Sequence, residues 1–313
     1  MAQLRIVFFG SSDFALPAME ALKQSGFAPL LVVTKPDAPR GRGRKIYDNE
    51  VKLAAQTLGL PCAQPDNPHD PAFLAELRKL KPDIGVVISY GVILKPELLQ
   101  LPRLGHINAH ASLLPLLRGA APVQRALWEG HPETGVTIMR IVEALDAGDI
   151  LLQQKTPIDP KEHAGALRER LAALSGKALV DALQTIAAGK DKYQKQDDAK
   201  ATYAKKIEKP DGVIDWRQPA TKIDLLVRAM TPKPGAQTRL GAKRLIVVEG
   251  SVEKDIYGLG IPGALQTSGE EGIRVCTGKD LYRITRIKPE NGRNMTAGEF
   301  VRGHHIPPDA RFS

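Results

Sequence analysis

Short apolar runs alternate with amphipathic segments over residues 4–89, and this alternation is the strongest constraint on the fold. The apolar runs are Leu4–Phe9, Pro29–Thr34 and Ile84–Ser89, and the helical segments are Pro17–Gln24, Val51–Leu58 and Pro71–Leu80. Apolar strands separated by helices are typical of a parallel sheet with helices on both faces. Ligands of such sheets bind beyond the carboxyl ends of the strands, so residues that follow each apolar run are the first candidates for a site.

The same pattern continues towards residue 189 and then changes. Two further strands are predicted at Thr134–Ile141 and Ile150–Lys155, and leucines at helical spacing predict a helix over Ala164–Ala187. Residues 190–209 are rich in lysine and poor in apolar residues, which predicts a basic linker across the surface. Short β-like runs then follow at Gln237–Leu240, Leu245–Glu249, Ile273–Cys276 and Tyr282–Ile287. We therefore predict an α/β, Rossmann-like, mostly parallel sheet domain at 1–189 and a smaller C-terminal β-barrel of the oligonucleotide-binding type at 210–313.

Positive charge is concentrated in the C-terminal part. The chain carries 44 Lys and Arg against 35 Asp and Glu, and residues 204–313 alone carry 19 against 13. A basic balance favours an anionic partner such as nucleic acid. The two cysteines lack metal-binding spacing, no run of 18 apolar residues predicts a membrane span, and the N-terminus lacks a signal-peptide pattern. We expect a cytoplasmic protein without membrane association, and no feature predicts a dimer, so we expect a monomer.

An amide, an imidazole and an acidic turn form the main candidate site. Asn108 and His110 stand two residues apart, and in an extended segment such residues point to one face. When an amine attacks a carbonyl carbon, donors aimed at the developing oxyanion lower the barrier, and Asn108 and His110 suit that role. Asp146 would hold His110 in a donating state or help to take the proton that the amine loses. This set suits acyl transfer without a covalent intermediate.

Other interpretations apply to the same positions. Asn108 and His110 could instead satisfy backbone groups at a strand end, and spacing alone leaves both roles open. His106 and His110 have the spacing of a metal pair on a helix, but the intervening residues do not favour a helix, so no metal is predicted. Gly10-Ser-Ser-Asp13 lacks the GxGxxG pattern of a dinucleotide site, which disfavours a nicotinamide-dependent dehydrogenase.

The sharpest basic cluster follows the second predicted strand, on the side of the sheet where ligands bind. Its cations are Lys35, Arg40, Arg42, Arg44 and Lys45. Two glycines and two prolines within it predict an irregular loop. Such a loop can grip a phosphate backbone or enter the end of a nucleic acid, although a solvated surface loop can have the same composition.

Together these motifs resemble the methionyl-tRNA formyltransferases over essentially the whole chain. The matching segments are Phe8–Phe14, Lys35-Pro-Asp37, Gly41-Arg-Gly43, Tyr90-Gly91, Ile107–Pro115, Arg118–Pro122, Glu133–Ile138, Leu145–Asp149, Thr202–Lys206 and Ile214–Trp216. Asn-x-His-x-Ser-Leu-Leu-Pro combined with Leu-Asp-x-Gly-Asp is specific to folate-dependent formyltransferases. The Gly-Arg-Gly loop, the linker and the C-terminal domain narrow the resemblance to the tRNA enzymes.

The resemblance implies substrates and roles. A formyl group would pass from 10-formyltetrahydrofolate, a co-substrate, to the α-amine of methionine on initiator tRNA, and Asn108, His110 and Asp146 match the family's catalytic trio. The implied folate-binding residues are Ser112, Leu113, Leu114 and Pro115, with Tyr90 and Gly91. The implied tRNA contacts are the basic loop, with Arg42 at the acceptor end, Lys206 and the C-terminal barrel.

Three segments depart from the family pattern. Leu116-Leu117 stand where a basic or aromatic residue usually follows Leu-Leu-Pro, and Thr231-Pro-Lys-Pro234 replaces a segment like Asn-Pro-Trp-Pro. Gly10-Ser-Ser replaces the common Gly-Thr-Pro. None of these departures removes a catalytic group, but the first two concern loops expected to contact tRNA or substrate.

Two other functions compete with tRNA formylation. A folate-dependent formyltransferase acting on a small amine, such as an amino sugar nucleotide or glycinamide ribonucleotide, would need no tRNA and would respond little to salt; the basic loop and basic C-terminal part argue against it. A nucleic-acid-binding protein without catalysis would transfer no formyl group, and the intact trio argues against that.

Overall fold

A seven-stranded sheet organises the first of the two units into which the chain divides. The computed structural model describes residues 4–40, 45–254, 260–304, 306–307 and 309–313. The first unit comprises Met1–Pro122, Glu133–Pro157 and Arg168–Ala204. Its strands are β1 (Ile6–Gly10), β2 (Leu31–Val33), β3 (Ala38–Arg40), β4 (Lys45–Tyr47), β5 (Cys62–Ala63), β6 (Ile84–Ile88), β7 (His106–His110), β8 (Arg118–Gly119), β9 (Glu133–Arg140), β10 (Ile150–Pro157) and β11 (Tyr203–Ala204).

Four helices that precede the C-terminal part lie close to where the sequence predicts them: α1 (Leu16–Gln24), α2 (Glu50–Thr57), α3 (Pro71–Lys79) and α6 (Ala164–Ala187). Two more helices also lie in this part of the chain, α4 (Pro96–Leu99) and α5 (Pro122–Glu129). The Asn49 side chain caps α2 by accepting from two backbone N–H groups, and Asp70 caps α3, which then begins with Pro71. None of the helices in the described ranges is long and apolar enough to cross a membrane.

The sheet has the order β10-β9-β7-β6-β1-β2-β5. The five strands from β7 to β5 run parallel, and β9 and β10 run antiparallel to their neighbours. On one face, Val7, Phe9 and Val87 pack under Leu77 of α3 and Leu98 of α4. Because β1, β6 and β7 are adjacent and parallel, the residues that follow all three strands meet at one edge of the sheet.

An antiparallel sheet forms the second unit, which comprises Val123–Pro132, Ile158–Leu167 and Lys205–Ser313. Its strands are β12 (Ala236–Leu240), β13 (Lys243–Glu253), β14 (Leu265–Gly269), β15 (Gly272–Cys276), β16 (Leu281–Pro289) and β17 (Met295–Thr296). Their order is β12-β13-β16-β15-β14, with β17 on β16. The C-terminal residues hydrogen-bond to both edges: Ser313 pairs with Arg239 of β12, and Ala310 accepts from Leu265 of β14. The two edge strands are therefore joined, and the predicted α/β domain followed by a β-barrel is confirmed.

Two helices of the second unit are absent from the sequence-based prediction. They are α7 (Ala220–Met230) and α8 (Ala297–Gly303). Ile223, Val227 and Met230 of α7 are buried in the core with Tyr282 and Phe300. The apolar positions of α7 recur at helical spacing, so a search for that period could have found this helix.

Candidate active site

Strand β7 carries Asn108 and His110 to the carboxyl edge of the first sheet. Asn108 lies opposite Val87 of β6 and Met139 of β9, and His110 lies opposite Thr137. These ladders fix both residues on one face of the strand, as their spacing predicts. His110 is buried, whereas Asn108 is half-buried and its side-chain amide has no hydrogen-bond partner among the described residues. The amide is therefore available to a ligand.

Both ring nitrogens of His110 face protein oxygens. Nε2 lies 2.9 Å from the carbonyl oxygen of Leu117, and because a carbonyl only accepts, this contact places a proton on Nε2. Nδ1 lies 3.6 Å from Oδ2 of Asp146, which is an ion-pair distance but too long for a hydrogen bond. The acidic turn thus reaches the imidazole of His110, which shares a strand face with Asn108.

The backbone of Asp146 is held in an unusual conformation. Its φ of 49° lies in the left-handed region, which residues with a Cβ rarely adopt. The Gly119 N–H donates to Oδ2 at 2.8 Å, and the Gln196 amide donates to the carbonyls of Asp146 and Gly148 at 2.8 and 2.7 Å. A Cβ on Gly148 would lie 1.9 Å from the carbonyl oxygen of Arg140, so this position of the motif requires glycine.

The predicted folate-binding segment Ser112–Pro115 is braced by one buried hydroxyl. Thr137 Oγ1 donates to the carbonyl of Ser112 at 2.7 Å and accepts from the Leu114 N–H at 3.1 Å. Gln153 Nε2 donates to Thr137 Oγ1 and to the Leu114 carbonyl, both at 2.8 Å. The side chain of Leu114 is buried, whereas Leu113 is half-buried.

Tyr90 and Gly91 lie at the end of β6, next to β7. Ser11 Oγ donates to the Tyr90 carbonyl at 2.8 Å, which ties this turn to the end of β1. The Tyr90 ring is buried edge-on against Phe9, and burial raises the pKa of Tyr90 to about 12. Gly91 has a φ of 66°, a conformation suited to glycine.

The basic loop is more regular than predicted. Its glycines and prolines predict irregular structure, but Ala38–Arg40 pairs antiparallel with Lys45–Tyr47, and Arg40 lies opposite Lys45. A proline is tolerated in such a two-stranded ladder because an edge strand has N–H positions that need no partner. Arg42 and Arg44 lie outside the described residues.

Lys35 and Lys206, which are both predicted to contact tRNA, have different surroundings. The Lys35 side chain is half-buried, and its Nζ donates to the Gly91 carbonyl at 3.0 Å. Its ammonium group therefore lies next to the turn that follows β6. Lys206, in the second unit, is exposed.

Neighbouring polar residues have structural partners. Arg118 donates to Gln196 and Asp198, so it anchors its loop. The His106 ring packs over Gly85 and against Phe9, and burial lowers the pKa of His106 to about 4. Within the described ranges, no group of three or more His, Cys, Asp or Glu residues has the arrangement of a metal site.

The sequence-based prediction missed the residues that brace the site. Thr137 lies inside a motif quoted for the family, so its position was available. Gln196 lies in the lysine-rich segment interpreted as a surface linker, where nothing in the local pattern singles it out.

Comparison with known sequences shows which family the chain belongs to. The chain matches the family models "Formyl transferase" over residues 4–183 and "Formyl transferase, C-terminal domain" over residues 206–305. It is 40% identical to the methionyl-tRNA formyltransferase of Geobacter metallireducens over 312 residues, which cover 100% of this chain and 99% of that protein. The chain belongs to the methionyl-tRNA formyltransferase family. The methionyl-tRNA formyltransferase of Moorella thermoacetica is 41% identical over 305 residues, covering 97% of this chain and 98% of the other.

Solved structures of other proteins share the fold of this methionyl-tRNA formyltransferase family member. An N-formyltransferase from Helicobacter canadensis, in complex with folinic acid and dTDP-3-aminofucose, has a TM-score of 0.66 at 16% identity, covering 90% of this chain and 99% of its own. HypX from Aquifex aeolicus, in complex with tetrahydrofolic acid, has a TM-score of 0.65 at 18% identity, covering 96% of this chain and 47% of its own. At these identities the likeness concerns the fold alone.

Proposed function

We propose that the chain transfers a formyl group from 10-formyltetrahydrofolate to the α-amine of methionine on initiator methionyl-tRNA. The reaction proceeds by direct attack of the amine and serves translation initiation in the cytoplasm. The observation that carries the proposal is the meeting of Asn108, His110 and Asp146 at the carboxyl edge of the sheet. Membership of the methionyl-tRNA formyltransferase family supports the choice of acceptor.

Asn108 is the donor to the developing oxyanion. Attack on the formyl carbon places negative charge on the formyl oxygen, and a preorganised N–H donor stabilises that charge. The Asn108 backbone is held by two strand ladders, and its side-chain amide is unpartnered among the described residues. It can therefore bind the oxygen without first breaking a protein hydrogen bond.

His110 and Asp146 handle the proton. The attacking amine loses one proton, and N10 of the folate gains one as its bond to the formyl carbon breaks. The Leu117 carbonyl holds a proton on Nε2, so Nδ1 is the nitrogen that takes up and releases the transferred proton. Asp146, 3.6 Å from Nδ1, stabilises the imidazolium that forms in between.

The donor binds along Ser112–Pro115 and at Tyr90-Gly91. A folate combines a pterin ring with amide-like edges and an apolar benzoyl ring, so it needs apolar surface and a few fixed polar groups. Leu113 is half-buried and Leu116 is 36% exposed, while the backbone between them is fixed by Thr137 and Gln153. The segment thus offers both features without further ordering.

The tRNA binds the basic loop and the C-terminal barrel of residues 210–313. The linker of residues 190–209 connects this barrel to the domain of residues 1–189. Arg40, Arg42, Arg44, Lys45 and Lys206 supply charge to the phosphate backbone, and Lys35 fixes the base of the loop on Gly91. Phosphate contacts of this kind make binding steeply dependent on salt.

A side-by-side transfer assay tests the function. Labelled 10-formyltetrahydrofolate is offered with methionylated initiator tRNA, methionylated elongator tRNA and free amino sugar nucleotide, each at low and high salt. We expect salt-sensitive transfer to the initiator tRNA and little to the others. Salt-independent transfer to the small amine would instead establish the alternative function, and no transfer to any acceptor would refute enzymatic activity.

A further inference from the structure

We propose that Gln196 is a positioning residue that holds the Asp146 turn in its active geometry. The expected effect on turnover rests on the proposed function, whereas the restraint of the Asp146 turn by Gln196 does not. The two N–H groups of the Gln196 amide donate to the carbonyls of Asp146 and Gly148. Its oxygen accepts two hydrogen bonds from Arg118, at 3.0 and 2.7 Å. All polar groups of one half-buried side chain are therefore used, and two of its hydrogen bonds lie on the acidic turn.

The turn needs an external restraint because its backbone conformation is unfavourable. A left-handed conformation is unfavourable for a residue with a Cβ, and it persists only where surrounding contacts fix it. Asp146 has that conformation, and so does Leu117, with a φ of 58°. Leu117 is the residue whose carbonyl binds His110.

The segment that contains Gln196 restrains both of these residues. Thr202 Oγ1 accepts from the Leu117 N–H at 2.8 Å, just as Gln196 binds the Asp146 carbonyl. The Gln194 backbone pairs with Ile150 at the start of β10, and Ala204 accepts from Ala120. Residues 194–204 therefore hydrogen-bond to the acidic turn, to the strand after it and to the loop that holds His110. This part of the predicted linker is therefore hydrogen-bonded to the residues around the site.

The same segment continues directly into the exposed cations Lys205 and Lys206.

The substitution Gln196→Glu separates this role from simple anchoring of Arg118. A glutamate at this position still accepts from Arg118, and the added charge strengthens that pair. It cannot donate to the two carbonyls while ionised, so it loosens only the acidic turn. Protonation at lower pH restores one donor, and the defect of the variant relative to wild type should shrink there.

Asp197→Ala is the matched control. Asp197 is the next residue, its side chain is 52% exposed, and it caps the short 3-10 helix Asp198–Lys200 through the Ala199 N–H. It has no hydrogen bond to the acidic turn among the described residues, so we expect this variant to retain wild-type kcat.

Two measurements decide the proposal. For Gln196→Glu we expect kcat to fall about 10–100-fold, the usual effect of losing a support to an active-site group, while KM for folate and for tRNA stays within about threefold. Hydrogen exchange of peptides covering residues 141–149 should accelerate in Gln196→Glu and not in Asp197→Ala.

The outcomes separate the two proposals. Unchanged exchange at 141–149 together with near-wild-type kcat would overturn the role of Gln196. If the wild-type protein transfers no formyl group to methionyl-tRNA, the proposed function fails, and the exchange measurement still decides whether Gln196 restrains the turn.

Discussion

Replacing His106 by phenylalanine should remove a large part of the acid sensitivity of the first unit. His106 begins β7, is 2% exposed, and lies among Val7, Phe9, Leu77 and Leu98. Its Nε2 has no partner among the described residues, and Nδ1 lies 3.2 Å from the Leu99 carbonyl. Burial of the charged form is the dominant effect and lowers the pKa to about 4 from an ordinary value of 6.5.

The direction in which stability changes with pH follows from the difference in the pKa of His106 between the folded and the unfolded chain. The unfolded chain protonates His106 near pH 6.5, whereas the folded chain protonates it only near pH 4, so stability is complete above 6.5 and is lost as the pH falls towards 4. A difference of about 2.5 pKa units corresponds to about 3 kcal/mol, most of it lost by about pH 4.5. Since a domain is stable by only about 5–15 kcal/mol, this loss should be easily measured.

Phenylalanine keeps a flat ring over Gly85, where a Cβ would lie 2.1 Å from His106 Cδ2, but it cannot take up a proton. Urea unfolding of both proteins is followed by far-UV circular dichroism at several pH values, because Trp128 and Trp216 both lie in the second unit. Ion-paired carboxylates such as Asp13 with Arg168 affect both proteins alike and cancel in the difference. Equal pH slopes for the two proteins, or an NMR titration midpoint of His106 near 6.5, would refute the reasoning.

Three further substitutions probe the site. Asp146→Asn should lower kcat about 100-fold or more while folate binding, measured by titration, stays nearly unchanged; near-wild-type turnover would remove Asp146 from the proton path. Thr137→Val leaves the Ser112 and Leu114 backbone groups unsatisfied, so we expect about 3 kcal/mol of destabilisation in thermal unfolding and a raised KM for folate, and an unchanged KM would argue against the brace. Arg42→Ala should raise KM for tRNA but not for folate, and equal effects on both would place Arg42 outside the tRNA interface.

The fold of the first unit was predictable because its central strands β1 and β6 are buried along their whole length. Ile84–Ile88 has no polar side chain at any position, and helices α2 and α3 have side-chain caps and buried apolar residues. The basic loop was predicted wrongly because glycine and proline content reports turn chemistry, and it does not exclude a short ladder on either side of a turn. Helix α7 was not predicted, although its apolar positions recur at helical spacing, because β-like runs dominate the pattern of the C-terminal part.

The reactive groups of the candidate site were predictable, whereas their supports were not. Asn108 and His110 share a strand, so their common face follows from the period of two. Gln196 approaches Asp146 from 50 residues away in sequence, through backbone carbonyls that any residue supplies. Only the folded chain shows such a contact, because no side-chain pattern records which carbonyl a distant amide will meet.

The second unit is built from segments that lie far apart in the sequence, so its parts are synthesised at different times. Trp128 of α5 packs on a core that also contains Phe312, and Ser313 pairs with Arg239 at the edge of β12. At about 5–20 residues per second, roughly 10–40 s pass on the ribosome between the appearance of Trp128 and that of Ser313. Throughout that interval the apolar face of α5 has no completed core to pack against. The nascent chain therefore leaves this apolar surface uncovered until the residues around Phe312 have been made.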